Sequence, residues 1–201
     1  MNDHALNKIK TYAPNITGVK RQSAVMLPLI YRQGSWQVLY ELRSKNLKTQ
    51  PGEICFPGGA LEKDEHPRTT AIRETCEELG VSEADIEIIG QMDSIMTSFD
   101  MLIHCYIGIL KCSFESIEHS EDEVDSIFTV PVDYLLSHTP QVYTAQSKFE
   151  LDEDFPFQNI PNGKDYNFKT SSYPIVFYRY ENHNIWGLTA RMTEQFIQII
   201  S

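Results

Sequence analysis

The sequence predicts an α+β fold in which strands outnumber helices. Two observations carry that reading. A series of short apolar, β-branched segments is separated by turn residues, which is the pattern of strands in a compact sheet. Only two long stretches, 67–79 and 188–200, carry helix signals such as capping residues or apolar positions at helical spacing.

In chain order, residues 1–22 are mixed and polar and read as an arm or a short helix. Ser23–Tyr31 and Trp36–Leu42 read as strands around Gln33-Gly34, a hairpin signal. Glu53–Phe56 is a short strand running into Pro57-Gly58-Gly59. Pro67 suits the first turn of a helix, where its missing N–H costs nothing, and Gly80 suits the end, so a helix is expected over 67–79. Ile86–Met92, Leu102–Leu110 and Ile127–Val130 are further strands, the last followed by a helical turn at Val132–Leu136. A structureless loop as long as 138–172 would be unusual, so a hairpin or lid is expected there. Pro174–Tyr180 returns as a strand, and Leu188–Ile200 ends the chain as a helix packed through Leu188, Met192, Phe196 and Ile199. The expectation is one domain over 1–201, with the N-terminal arm and the 138–172 insertion as its appendages.

A hydrophobic content of 41% supplies ample core. With 17 basic against 28 acidic residues the formal net charge is −11, which argues against a nucleic-acid surface. Cys55, Cys76, Cys105 and Cys112 fit no zinc spacing and read as reduced, mostly buried thiols. No apolar run approaches the ~20 residues of a membrane span, and no signal-peptide pattern stands at the N-terminus. A cytoplasmic protein without a membrane or nucleic-acid partner is expected. Its oligomeric state stays open, with a homodimer among the options.

The charged helix is the informative element. Measured around its axis from Arg73, Glu77 falls near ~40°, Glu74 near ~100° and Glu78 near ~140°. Ile72, Cys76 and Leu79 fall on the other side, which is therefore expected to face the core. Like charges on one helix face repel, so three neighbouring carboxylates ask for a compensating ligand. Hard divalent cations take oxygen donors and suit such a set. The upstream Gly58-Gly59 can bring backbone close to a ligand and offer a carbonyl oxygen.

Gly59, Glu65, Arg73-Glu74, Glu77-Glu78 and Gly80-Val81 stand at the spacing of the Nudix box, and the chain resembles the Nudix hydrolases. Thr75 departs from that pattern, standing where the family carries an aliphatic residue. The resemblance implies a Nudix fold, a mixed β-sheet sandwiched between helices. It also implies Mg²⁺- or Mn²⁺-dependent hydrolysis of a nucleoside diphosphate linked to another moiety. Glu74, Glu77, Glu78 and the Gly59 carbonyl would hold the metal, and Arg73 and Glu65 would support them. The base that takes the proton from water would be Glu74 or, from a later loop, Glu123.

A second resemblance narrows the substrate. Arg43-Ser44, Leu47, Gly52 and Phe56-Pro57-Gly58-Gly59 are similar to the segment that coenzyme A pyrophosphatases carry before the box. So are Glu123-Val124, Phe128, Val130-Pro131, Leu135-Leu136 and Ile185–Ala190 to later segments. The subfamily has arginine and histidine where this chain has Lys48 and Gln50. The resemblance implies cleavage of coenzyme A or its acyl forms to 3′,5′-ADP and phosphopantetheine, with Arg43, Lys45 and Lys48 facing the substrate. Trp186 reads as a packing residue. The alternatives are an ADP-ribose or nucleotide-sugar pyrophosphatase, and a non-catalytic nucleotide-binding regulator.

Overall fold

The computed structural model describes residues 2–148 and 150–201. Met1, in the expected arm, and Phe149, in the expected insertion, lie outside the described residues. Helix α1 (Asp3–Lys10) buries none of its residues. The main sheet is mixed and holds β1 (Arg21–Arg32), β2 (Ser35–Arg43), β3 (Ile54–Cys55), β4 (Gly58–Ala60), β5 (Ile86–Gln91), β6 (Ile95–Met96), β7 (Met101–Leu110) and β8 (Val124–Pro131). Its spine runs β3-β2-β1-β7-β5, with β1 and β7 parallel and the other pairs antiparallel. Helix α2 (Pro67–Leu79) follows β4, and α3 (Val132–Ser137) follows β8.

Strand β1 sits at the centre and is apolar on both faces, as a doubly covered strand must be. Its side chains alternate between the two faces of the sheet. Ala24 and Met26 pack with Ala71 of α2 and Tyr106 of β7. Leu27 and Leu29 join Val38, Tyr40, Ile107 and, from α4 (Gly187–Ile200), Met192 and Phe196. The sheet therefore lies between α2 and α4, the expected sandwich. Pro28 breaks the usual rule against proline in a central strand. It has the parity of Met26, whose N–H reaches Pro57 beside β4. The pairing with β4 covers 23–25 and that with β2 begins at Leu29. Pro28 thus turns its missing N–H toward the gap between the two partners.

The 138–172 segment begins as a hairpin arm. β9 (Gln141–Gln146) pairs antiparallel with β10 (Ser172–Tyr180), and β11 (His183–Trp186) completes a separate three-stranded sheet. Short 3₁₀ turns at Phe157–Asn159 and Gly163–Asp165 occupy the connection. One face of this sheet packs Val176, Tyr178 and Ile185 into the main core. Strands β4, β6 and β11 are too short to show a period and went unpredicted. Trp186 corrects the packing expectation: it is 43% exposed and stacks on Phe177. At the end of α4, Ile199 is likewise exposed, because the core ends one turn earlier. Among the thiols only Cys105 is buried. Cys55, Cys76 and Cys112 are partly exposed, and all four are free.

Candidate active site

Helix α2 starts where expected. His66 occupies the cap, its side chain accepting from the Arg68 N–H, and Pro67 takes the first turn. Gly80 closes the helix in the left-handed conformation, φ 63°. A Cβ there would run into the carbonyl oxygen of Glu118. That close approach brings the 118–124 segment onto the helix end, and the Ser120 N–H donates to the Glu78 carbonyl at 2.9 Å. The Ser44 N–H then donates to the Glu123 carbonyl at 2.8 Å. A loop far along the chain is thereby held between α2 and the end of β2.

The buried face of α2 is not the one the wheel suggested. Thr70, Ala71, Thr75, Glu78 and Leu79 are buried, whereas Ile72 and Cys76 are only partly so. The core face is rotated toward the acids, and Glu78 lies on it. Thr75 is tolerated there because its hydroxyl donates back to the Ala71 carbonyl at 2.7 Å. Glu78 is 4% exposed and accepts the Gly58 N–H at 2.7 Å. Burial, and then the charge of Glu41, holds its carboxyl above the ordinary carboxylate range.

Arg73 organises the remaining acids. Its Nε and Nη2 each sit 3.1 Å from the Glu65 carboxylate, a bidentate pair. Its Nη1 donates to Glu74 at 2.7 Å and to Glu77 at 3.2 Å. Glu65 also accepts from the Thr70 hydroxyl and the Glu62 N–H, and these bonds, led by Arg73, lower it to about 2. Burial raises Glu74 against the pull of Arg73. The Gly59 backbone lies directly against the Glu74 carboxylate, so that a Cβ at 59 would overlap it. Glu77 stands outermost, its side chain 58% exposed.

Among the described residues no three His, Cys, Asp or Glu side chains close on a single metal position. The reason is visible in the contacts: Arg73 engages Glu74 and Glu77, while Glu78 turns inward to Gly58. The donor set nevertheless fits a hard cation. It consists of carboxylates and a glycine carbonyl, it has a cradle that a Cβ would fill, and a buried carboxylate oxygen of Glu41 beside it has no partner.

Glu123 is exposed, and its carboxylate has no hydrogen bond or ion pair among the described residues; its charge acts on Glu74, Glu78 and Glu41. Arg43, at the end of β2, has a buried Nε without a partner. Lys45 and Lys48 are exposed on the loop that follows. Sequence reasoning missed Glu41 and Cys55. Glu41 is fully buried and accepts from the Cys55 thiol at 3.1 Å. The strand pattern concealed it: Trp36, Val38, Tyr40 and Leu42 form the apolar parity of Ser35–Arg43, and Glu41 falls on the other with Ser35, Gln37, Leu39 and Arg43, a face that β2 also buries over 37–41.

Residues 20–151 match the NUDIX domain family, and the chain belongs to that family, the Nudix hydrolases. Nudix hydrolases as a group use divalent metal ions. Among its relatives is the peroxisomal coenzyme A diphosphatase NUDT7 of Mus musculus, 35% identical over 133 residues, 66% of this chain and 55% of the mouse protein. The chain therefore spans little more than half of that relative. The mitochondrial coenzyme A diphosphatase NUDT8 of Homo sapiens is 28% identical over 182 residues, 89% of this chain and 69% of the human protein. The crystal structure of a MutT/nudix family protein from Enterococcus faecalis shares the fold, with a TM-score of 0.53 at 15% identity, covering 98% of this chain and 68% of that one. Among the described residues no helix is long and apolar enough to cross a membrane.

The buried acids set a pH dependence. In the absence of metal, Glu78 and Glu41 hold their protons to higher pH in the folded chain than the ~4.3 of an unfolded glutamate. Their contribution to stability is full below that value and is lost as pH rises through the folded values. Glu65, lowered to about 2, acts oppositely: its contribution is present above ~4.3 and is lost as pH falls toward 2. Melting curves in EDTA should therefore show a falling melting temperature from about pH 5.5 to 8.5. Glu78→Gln should flatten the profile, and a wild-type profile that is flat or rising would contradict the burial argument.

Proposed function

We propose that the chain is a metal-dependent pyrophosphohydrolase that cleaves the diphosphate of coenzyme A or its acyl forms, releasing 3′,5′-ADP and (acyl-)phosphopantetheine. The observation that carries the hydrolase reading is the docking of Gly58-Gly59 on α2, with Glu78 on the Gly58 N–H and Glu74 against Gly59. The substrate reading is supported by relatives named coenzyme A diphosphatases and by the basic residues Arg43, Lys45 and Lys48 of one segment, of which Arg43 acts on Glu41 by its charge and the intervening Ser44 bonds the Glu123 carbonyl.

In this reading Glu74, Glu77, Glu78 and the Gly59 carbonyl hold Mg²⁺ or Mn²⁺. Such cations, when bound, neutralise diphosphate oxygens and lower the pKa of a bound water. Glu65 fixes Arg73 through two parallel bonds, and Arg73 fixes the rotamers of Glu74 and Glu77. Water attacks one phosphorus, the bridging P–O bond breaks, and a carboxylate takes the proton. Glu123 suits that last role better than Glu74, because its oxygens are free while Glu74 is engaged by Arg73.

Coenzyme A carries a 3′-phosphate that ADP-ribose lacks, and Arg reads phosphate through a planar fork. Coenzyme A should therefore show a higher kcat/KM than its form without the 3′-phosphate. Arg43→Ala or Lys48→Ala should shrink that difference by about 1.5–3 kcal/mol, the worth of a charge-assisted hydrogen bond. Equal rates with and without the phosphate, unaltered in the variants, would remove this recognition. Faster cleavage of ADP-ribose would favour a nucleotide-sugar pyrophosphatase, and binding without cleavage of any of these would favour a regulator.

A further inference from the structure

Glu41 lies outside the Nudix box, on β2, and packs beneath it. It is fully buried, and its Oε2 has no hydrogen-bond partner. Its Oε1 takes only the weak Cys55 thiol donor, from the residue directly across the strand pair. A buried carboxyl in native protein is normally paired, and each exception calls for a cause. The charges acting on it are, strongest first, those of Arg43, Glu123 and Glu74, and Glu41 in turn is the strongest charge acting on buried Glu78. The two buried acids are joined through adjoining elements: Cys55, across from Glu41, leads within three residues to Gly58, whose N–H Glu78 accepts, and Leu39, on the same side of β2 as Glu41, packs with Leu79 beside Glu78. The charges of Glu74 and Glu123 act on both. A simple packing role would be met by a neutral side chain. An acid that leaves an oxygen unpaired next to a set of hard-cation donors is suited to complete that set.

We propose that Glu41 is a further carboxylate of the divalent-cation site, entering from β2 beneath Glu78 and offering Oε2 to a cation that Glu78 also holds. This rests on the metal-dependent reading of the α2 acids. It explains why the orphaned oxygen is kept: a cation offsets the repulsion of the Glu41–Glu78 pair, which the Gly58 N–H and the Cys55 thiol offset only in part. It also explains why Arg43 brings no ion pair to Glu41 although its charge is felt there: a paired Glu41 would be lost to the cation.

Mn²⁺ binding to the whole chain, followed by electron paramagnetic resonance and calorimetry, tests the proposal without reference to turnover. Glu41→Gln should weaken Mn²⁺ binding by at least ~10-fold, the scale found when a group supporting a metal site is removed, or abolish one bound ion. The rise in melting temperature caused by saturating Mn²⁺ should shrink, while the metal-free variant melts no lower than wild type. Glu41→Asp keeps the charge but withdraws the oxygen by one methylene, and should bind Mn²⁺ with intermediate affinity; it serves equally if the glutamine variant does not fold. Stoichiometry, affinity and melting shift identical to wild type in the folded variants would overturn the proposal while leaving the α2 site standing. Absence of Mn²⁺ binding to wild type would overturn both.

Discussion

Glu77→Gln and Glu78→Gln, each assayed at saturating Mg²⁺ and Mn²⁺, should lower turnover by at least ~10²-fold, the scale of losing a preorganised electrostatic group. The two should part company in stability. Glu78 is buried with its carboxyl raised by burial and by Glu41. An amide of the same shape can still accept the Gly58 N–H, so the metal-free Glu78→Gln variant should melt no lower than wild type at pH 8. Glu77 is largely exposed and offers Arg73 an i,i+4 pair at 3.2 Å. Exposed pairs of that kind are worth about 0.3–0.5 kcal/mol, so Glu77→Gln should melt close to wild type. Full activity in both variants would rule out the metal assignment for these residues.

Glu123→Gln should cut kcat by about 10²–10⁴-fold, the usual range for a general base, with KM little changed. The carboxylate stands on a loop held by the Ser120–Glu78 and Ser44–Glu123 backbone bonds, so an isosteric amide leaves that loop in place. Glu74→Gln should also lose activity, but with weakened Mn²⁺ affinity, since Glu74 is read as a ligand. A larger kcat loss in Glu74→Gln with metal affinity unchanged would move the base to Glu74. Small, equal effects in both variants would remove both from that role.

Much of this site was legible in the chain because its parts lie close together in sequence. The 67–79 helix announces itself by Pro67 and Gly80, and the box spacing runs from Gly59 to Val81. What the helical wheel misjudged was which face is buried. It took Ile72 and Cys76 as the inner side because they are apolar, whereas the core accepted Thr70, Thr75 and Glu78. Thr75 can be buried because its hydroxyl bonds back to Ala71, and Glu78 because Gly58 supplies an N–H. Both compensations come from contacts that no hydrophobicity pattern encodes. The strand pair that sets Glu41 against Cys55 and the loop bond that sets Ser44 against Glu123 join separate segments, which no local pattern could have matched. Glu41 left no trace of its burial, because it shares the mostly polar parity of β2 with Ser35, Gln37 and Arg43, and only the packed structure covers that face. Trp186 departs for a different reason. A large aromatic usually serves packing, but β11, which the sequence does not mark, leaves it exposed beside Phe177.

The central claim is tested most directly by incubating the chain with coenzyme A and Mg²⁺ or Mn²⁺ and weighing the products by mass spectrometry. The account predicts 3′,5′-ADP and phosphopantetheine in equal amounts, formed with the cation and absent when EDTA removes it. Intact coenzyme A under conditions that cleave ADP-ribose, or cleavage that persists in EDTA, would contradict it.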